Sequence, residues 1–251
     1  MNFYRALLRV RPATLARTIH GALGIQRRVM DTPVGRMFLD PVFGIGGCII
    51  ATGSFDPGME RTLANELQHG MTFVDLGANE GYFTVQGARL VGPAGRVVAV
   101  EPQDSLIPVI ERNLTLNDLG NVTIVKAAVS DSEDSATLYL PPELASAGFT
   151  RMTRYRVPTQ HTETMTLAGL FARCGIANAD VMKVDIEGAE YEAVLGSRET
   201  FNAHRVKVLA LDLHPAQLGN ARMDKLIKFV EGCGYRRDMR YENTVWRAPV
   251  A

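Results

Sequence analysis

The 251-residue chain contains few cysteines, and they form no motif. Cys48, Cys174 and Cys233 are widely spaced, and no Cys-x-x-Cys or mixed Cys/His cluster accompanies them. A disulfide framework and a structural zinc site are therefore not expected. The cysteines suit a reducing, cytoplasmic location, which we expect for this chain. Long hydrophobic runs are also missing, because the longest, residues 42–51, is broken by three glycines. No membrane-spanning helix and no secretory signal are predicted.

The chain also lacks net charge, since 27 basic side chains balance 27 acidic ones. A neutral chain creates no overall field that would gather nucleic acid, so no nucleic-acid partner is expected. The balance is uneven, however: residues 1–30 hold six arginines and no acid, which leaves a net charge of −6 on residues 31–251. Residues 1–35 are therefore interpreted as a basic arm with an amphipathic helix over residues 3–18. This arm either packs across the body or contacts an anionic membrane surface.

The remainder, residues 36–251, has the pattern of one α/β domain. From Thr72 onward, continuous apolar strands alternate with helices, which indicates a mostly parallel sheet covered on both faces. Tyr235–Tyr241 and Thr244–Arg247 are predicted to close this sheet as an antiparallel pair. Three features lie outside the alternation: a small hairpin in residues 35–51, a helix from Pro57 to Gln68, and a loop-rich insertion at 141–166. The insertion and the arm are expected to form the pocket for a substrate.

Polar or small residues follow the predicted strands at their carboxyl ends, where parallel sheets bind their ligands. In chain order these residues are Asp75 with the loop Gly77-Ala78-Asn79-Glu80-Gly81, then Glu101, Ala128, Asp185, Glu187, Asp212 and His214. Their coincidence at five strand ends predicts a binding site along one edge of the sheet.

The glycine loop joins a strand to a helix whose first N–H groups can bind a carboxylate or a phosphate. Its Gly77-x-x-x-Gly81 spacing differs from the GxGxxG of dinucleotide-binding proteins, and no Tyr-x-x-x-Lys pair occurs. A nicotinamide-dependent oxidoreductase is therefore the weaker alternative. Glu101 at the next strand end suits bidentate hydrogen bonding to the two hydroxyls of a ribose, whereas a solvated carboxylate is the alternative interpretation.

The last group, Asp185, Glu187 and His214, consists of candidate catalytic residues. Burial of Asp185 at a strand end would be costly without a hydrogen-bonding role. Glu187 could instead cap the following helix, and His214 could be structural. Two carboxylates and a histidine could gather Mg²⁺ or Mn²⁺, but nothing in their spacing requires a metal, and no metal ligand is predicted.

Three segments of the sequence resemble one family. Residues 73–83, Phe-Val-Asp-Leu-Gly-Ala-Asn-Glu-Gly-Tyr-Phe, are similar to the first motif of the FkbM-type methyltransferases, and Val98-Ala-Val-Glu-Pro102 is similar to their second. Thr166-Leu167 followed by Met182-Lys-Val-Asp-Ile-Glu-Gly-Ala-Glu190 resembles their TLD…KIDVEGAE stretch. The similarity extends from about residue 53 to residue 214 with matched order and spacing. The glycine loop is common to many methyltransferases, whereas the last stretch is specific.

The resemblance implies a Rossmann-like, doubly wound, mostly parallel seven-stranded sheet and S-adenosylmethionine as methyl donor. It also implies a small-molecule, glycan or peptide acceptor, most often methylated on a hydroxyl oxygen, with N-methylation as the alternative. The residues expected to bind the donor are Asp75, Gly77, Asn79, Gly81, Tyr82, Glu101, Ala128 and Asp185.

The acceptor is expected beside Asp185, Glu187 and His214. Two departures from the family pattern affect this site: Ala168 replaces an acid, and Asp212 with His214 stands where a glutamate is frequent. A catalytically silent binding module remains a further alternative, which the intact Asp185–Gly188 stretch disfavours. The oligomeric state is not predicted.

Overall fold

The structure is a computed structural model that describes residue 4 and residues 13–140, 159–241 and 244–249. The strands described are β1 Arg28–Thr32, β2 Gly35–Leu39, β3 Thr72–Leu76, β4 Arg96–Val100, β5 Val122–Val125, β6 Ala128–Val129, β7 Asp134–Tyr139, β8 Thr159–Met165, β9 Ala179–Val184, β10 Val206–Leu211, β11 Arg236–Arg237 and β12 Thr244–Arg247. The helices described are α1 Ala13–Ala22, α2 Gly44–Thr52, α3 Pro57–Glu66, α4 Tyr82–Val91, α5 Ile107–Thr115, α6 Leu167–Cys174, α7 Glu190–Leu195, α8 Arg198–Asn202, α9 Pro215–Leu218 and α10 Asn220–Gly232.

Seven strands form the main sheet in the order β11-β12-β10-β9-β3-β4-β5. Strands β10, β9, β3, β4 and β5 are parallel, and β12 joins antiparallel to β10 and to β11. The predicted fold class is therefore confirmed, including the antiparallel pair at the C-terminal end. Of that pair, the first strand is shorter than predicted.

Side chains alternate between two hydrophobic cores, one on each face of the sheet. Phe73 of β3 packs in one core with α3, α4 and α5, whereas Val74 packs in the other with α6, α7, α8 and α10. This alternation is the period of a strand that is buried on both faces. It also directs Asp75 toward α4, where Thr84 donates a hydrogen bond to it at 2.6 Å.

A second, three-stranded sheet has the order β6-β8-β7. Strand β8, residues 159–165, lies inside the segment 141–166 that was interpreted as loop-rich, so this part of the interpretation is wrong. Its polar-alternating sequence pairs antiparallel with β7 along six residues and parallel with β6. Residues 141–158 of the insertion lie outside the described residues.

The segment from Gly35 to Ala51 is not a hairpin by itself. The hairpin consists of β1 and β2, and residues 44–52 form α2. Glycine lowers helix propensity, but Ile45 and Ile49 bury their side chains in the core that contains Phe73 and so stabilise this helix. A boundary between residues 35 and 36 falls inside β2, so the hairpin joins the basic arm to the domain.

The amphipathic helix expected over residues 3–18 falls largely outside the described residues; within them, α1 is described over Ala13–Ala22. The helix from Pro57 is present and ends at Glu66, with Asp56 accepting a hydrogen bond from the Met59 N–H at 2.9 Å. No helix in the described ranges combines the length and the apolar character that crossing a bilayer requires.

Candidate active site

A cavity of about 400 Å³ lies across the carboxyl ends of β3, β4 and β9. This volume is in the range of small-molecule and cofactor sites. Most residues predicted for the site line it, namely Gly77, Asn79, Tyr82, Glu101, Ala128, Asp185 and Glu187. Three predicted residues, Asp75, Gly81 and His214, are not part of its lining and lie next to it.

Asp75 lies beneath the cavity, fully buried on β3. Its register partner on β9 is Lys183, whose Nζ is 3.2 Å from Asp75 Oδ1 and 3.4 Å from Asp185 Oδ2. Lys183 Nζ also donates a hydrogen bond to the Gly77 carbonyl oxygen at 3.2 Å. Asp75, which is predicted to help bind the donor, does not line the cavity; it contacts Lys183, which in turn contacts the glycine loop.

Lys183 is a site residue to which the sequence analysis assigned no role. It lines the cavity with 1% of its side chain exposed. Burial alone would lower its pKa, but the carboxylates of Asp75 and Asp185 raise it, so the ammonium stays charged. A lysine inside the otherwise apolar run Val181–Val184 was the signal that could have found it, because a buried charge needs partners.

The glycine loop approaches the turn after β9 so closely that a side chain cannot fit. Gly77 has a φ of +78°, and a Cβ added there would collide with the backbone carbonyl oxygen of Asp185. The N–H groups of Gly77 and Ala78 both donate to the Val100 carbonyl oxygen at 3.0 Å. Only glycine can join the exits of β3 and β9 in this way.

Glu101 faces the cavity from the end of β4 and is 3% exposed. Its Oε2 accepts from the Asn79 N–H at 2.8 Å and its Oε1 from the Gln103 N–H at 2.9 Å. Burial raises the pKa of Glu101 to about 7, although both N–H groups and Lys183 oppose this rise. Each carboxylate oxygen can accept a further hydrogen bond, so Glu101 can also bind hydroxyls.

Helix α4 begins at the cavity, with Gly81 as its N-cap at a φ of +83° and without a side-chain cap. The first N–H groups of a helix that lacks a side-chain cap are available to an anionic group. Tyr82, the first residue of α4, is 1% exposed and donates its hydroxyl hydrogen bond to Glu60 at 2.7 Å. Gly81 therefore shapes the helix start, and Tyr82 forms part of the wall.

The other walls of the cavity are mostly apolar. Ala128 and Val129 of β6 and Leu138 of β7 line one side. Helix α2 and the residue Phe55 contribute the side that the sequence analysis missed, namely Gly44, Ile45, Cys48 and Phe55. Gly44, Ile45 and Cys48 were missed because their glycine-rich segment was predicted to be a hairpin; Phe55 lies after that segment and was assigned no role.

The turn after β9 has unusual backbone geometry. Glu187 has a φ of +53°, which is uncommon for a residue other than glycine, and Gly188 follows with a φ of +101°. The carboxylate of Glu190 is fully buried and accepts hydrogen bonds from the N–H groups of Ile186 and Gly188, the shortest at 2.9 Å. Glu190 therefore holds Asp185 and Glu187 at the cavity. It belongs to the specific motif, but the sequence analysis assigned it no role.

Glu190 also binds His214, whose Nδ1 is 2.8 Å from Glu190 Oε1. The opposite ring nitrogen, Nε2, lies 3.5 Å from Asp185 Oδ1 and 3.7 Å from Glu187 Oε2. Burial alone would lower the pKa of His214, but the hydrogen bond to Glu190 and the three nearby carboxylates raise it to about 9. A histidine that is protonated at neutral pH cannot accept a proton, which argues against His214 as the general base.

The two departures from the family pattern have different consequences. Ala168 is exposed in the first turn of α6 and does not line the cavity, so the missing acid affects no cavity contact there. Asp212 comes directly after β10 and lies beside Asp185 and His214. Burial and the charge of Asp185 raise the pKa of Asp212.

The strand order, the helices on both faces and the cavity across the strand exits define a Rossmann-like α/β fold of the kind found in class I methyltransferases. Residues 75–237, more than half of the chain, match the family model described as the methyltransferase FkbM domain. The chain therefore belongs to the FkbM methyltransferases, for which S-adenosylmethionine is the methyl donor.

Several solved structures are similar at low identity. The precorrin-6y C5,15-methyltransferase of Geobacter metallireducens is 18% identical, with a TM-score of 0.44 and coverage of 74% of this chain and 85% of that one. The methyltransferase FkbM of Methylobacillus flagellatus is 14% identical, with a TM-score of 0.48 and coverage of 94% and 60%. The S-adenosylmethionine-dependent O-methyltransferase of Thermotoga maritima is 13% identical, with a TM-score of 0.48 and coverage of 90% and 79%. No curated protein sequence matches the chain. Similarity at this level indicates no acceptor.

We predict that the His214 imidazole titrates near pH 9, about the value to which its carboxylate neighbours raise the pKa. Because the folded-state pKa exceeds the ordinary value of 6.5, the stability that this charge contributes is complete below pH 6.5 and is lost as the pH rises through about 9. NMR titration of the histidine ring signals, with a chelator present, measures this midpoint.

The variant Glu190→Gln should lower the His214 midpoint, because it removes the closest negative charge. Glu111→Gln, a matched change at an exposed site on α5, should leave the midpoint unchanged. A wild-type midpoint at or below 6.5 would contradict the arrangement described.

Proposed function

We propose that the chain transfers the methyl group of S-adenosylmethionine to a hydroxyl oxygen of a glycan or secondary metabolite. The observation that carries this proposal is the cavity itself, which combines two chemically different ends. The glycine loop and Glu101 form one end, and Asp185 and Glu187 form the other. The donor supplies a methyl group on a positively charged sulfur.

The residues at the first end fit this donor. Glu101 has carboxylate oxygens available to the two hydroxyls of a ribose, and the start of α4 offers N–H groups to a carboxylate. The apolar wall of Ala128, Val129 and Leu138 suits a flat base such as adenine. Asp75 contributes by holding Lys183 and so the glycine loop.

The residues at the second end suit an acceptor that loses a proton. Asp185 and Glu187 line the cavity, are each 25% exposed in their side chains, and can accept the hydroxyl proton. His214, which is protonated at neutral pH, orients these two carboxylates instead. Holding the acceptor in line with the methyl group can contribute about 7–11 kcal/mol. The base adds roughly 10²–10⁴-fold.

N-methylation of an amine or peptide is a second candidate, and one observation favours it. The acceptor end carries the carboxylates of Asp185, Glu187 and Asp212 against the cations Lys183 and His214. Such an excess of negative charge attracts a cationic acceptor. Label transfer to hydroxyl-bearing or amine-bearing fractions of a cell extract distinguishes the two candidates.

A cytoplasmic location with peripheral membrane contact through the basic arm is also proposed. Two observations support this proposal: the three cysteines form no disulfide, and residues 1–30 hold six arginines and no acid, although Arg27 pairs with Glu80 of the glycine loop. Binding of the full chain to vesicles with and without anionic lipid tests the membrane contact.

We predict that S-adenosylhomocysteine stabilises the protein against thermal unfolding and that NAD does not. A ligand at 100 times its dissociation constant adds about 2.7 kcal/mol to the free energy of unfolding. Differential scanning calorimetry measures the rise in Tm. Glu101→Gln should reduce it, whereas the matched control Glu111→Gln should keep it. Stabilisation by NAD, or none by S-adenosylhomocysteine, would refute the proposed donor.

At the end of the cavity that Asp185 and Glu187 form, the variant Asp185→Asn should lower turnover by about 10²–10⁴-fold, because the amide cannot accept the hydroxyl proton. Its affinity for S-adenosylhomocysteine should stay within a few-fold of the wild type. Transfer of labelled methyl to the acceptor fraction of a cell extract measures turnover, and calorimetry measures affinity. Turnover of Asp185→Asn near the wild-type rate would exclude Asp185 as the base.

A further inference from the structure

Asp185, Asp212 and His214 converge at the acceptor end of the cavity. One potential ligand atom from each residue lies within 4.8 Å of the other two. They come from the exits of two neighbouring strands, β9 and β10, whose register pairs Val184 with Leu211. The sequence analysis considered Asp185, Glu187 and His214 as a possible cation site; the structure brings Asp212, rather than Glu187, together with the other two residues.

The orientation of His214 is that of a metal ligand. A histidine that binds a metal through one ring nitrogen usually donates the other N–H to a carboxylate, which fixes the ring. Glu190, fully buried, occupies that position at His214 Nδ1 at 2.8 Å. Nε2 then points to Asp185 and Glu187, at 3.5 and 3.7 Å, which is longer than a typical N–H···O hydrogen bond.

The charge at this place favours a cation as well. Four carboxylates, those of Asp185, Glu187, Glu190 and Asp212, surround His214, and Lys183 contacts only Asp185 among them. The buried carboxylate of Glu190 already accepts hydrogen bonds from N–H groups of the turn and contacts His214 Nδ1, so its charge has partners. Asp185 and Asp212 therefore present negative charge that a divalent cation can neutralise.

We infer that Asp185, Asp212 and His214 bind a divalent cation of the Mn²⁺ or Mg²⁺ type at the acceptor end of the cavity. The two carboxylates are of the ligand type that suits Mn²⁺ and Mg²⁺, and Glu190 acts as the outer partner of the third ligand, His214. On binding, the cation replaces the proton on His214 Nε2, and that proton goes to solvent. Three protein ligands leave coordination positions for oxygen atoms of a substrate.

This site specifies the acceptor class, an inference that rests on the proposed function. Open coordination positions on such a cation suit an acceptor with two neighbouring oxygen atoms, for example a compound with adjacent hydroxyls. Such a cation would lower the pKa of a bound hydroxyl. With Asp185 as its ligand, Glu187, the other carboxylate that lines the cavity, would then take the hydroxyl proton. The cation site itself can be tested without any acceptor.

The test is titration of the chelator-treated full chain with MnCl₂, followed by electron paramagnetic resonance of free Mn²⁺, with and without S-adenosylhomocysteine. One site per chain is expected. Asp212→Asn and Glu190→Gln should each weaken binding by about 10–100-fold, since one removes a ligand and the other releases the ligand ring. Glu111→Gln on α5, also a carboxylate-to-amide change, should not alter binding.

If a variant does not fold, NMR spectra of the wild-type protein with added Mn²⁺ still test the cation site. Among the five histidines of the chain, His214 should be the first whose ring signals broaden as Mn²⁺ is added. Absence of binding at millimolar Mn²⁺, or equal binding by Asp212→Asn and the wild type, would overturn the cation site. If S-adenosylhomocysteine still binds in that case, the cation site alone is wrong; if it does not, the proposed function fails with it.

Discussion

The ion pair between Lys183 and Asp75 is the interaction on which the site depends. The two residues are register partners on the central strands β9 and β3, with both side chains on the face toward α4. Their neighbours across the sheet are Ala99 and Ala210, whose small side chains leave room for the pair. Removal of one partner from a buried pair costs roughly 3–5 kcal/mol, because the other charge stays buried.

This pair connects the core to the cavity. Lys183 contacts the Gly77 carbonyl oxygen and Asp185, so one ammonium group joins the glycine loop to the acceptor end. Glu190 has the corresponding role one turn later, where it joins the Glu187 turn to His214. Two buried charged groups, those of Lys183 and Glu190, thus hold the loops that carry the cavity carboxylates Asp185 and Glu187.

The sequence predicts the sheet well, because continuous apolar runs and glycine loops are local signals. The alternation of apolar strands and helices that the sequence predicts from Thr72 onward is present in the structure. Helix α2 was not predicted, because its glycines suggested a hairpin. Gly46 is there for a different reason: a Cβ at this position would collide with the Asp40 carbonyl oxygen, which lies outside the helix. The charge of His214 was not predictable either, because it depends on Glu190 and on carboxylates from another strand exit.

The charge of Asp75 beneath the cavity holds Lys183 and so the glycine loop, where we propose that the donor binds. Asp75 does not line the cavity, and Asp75→Asn keeps its size and its contact with Thr84. A calorimetric titration of this variant with S-adenosylhomocysteine is therefore the most direct measurement. We predict that the affinity of Asp75→Asn for S-adenosylhomocysteine is lower by at least about tenfold, because the loss of the charge acts on the glycine loop through Lys183. A folded Asp75→Asn protein that binds S-adenosylhomocysteine with wild-type affinity would contradict it.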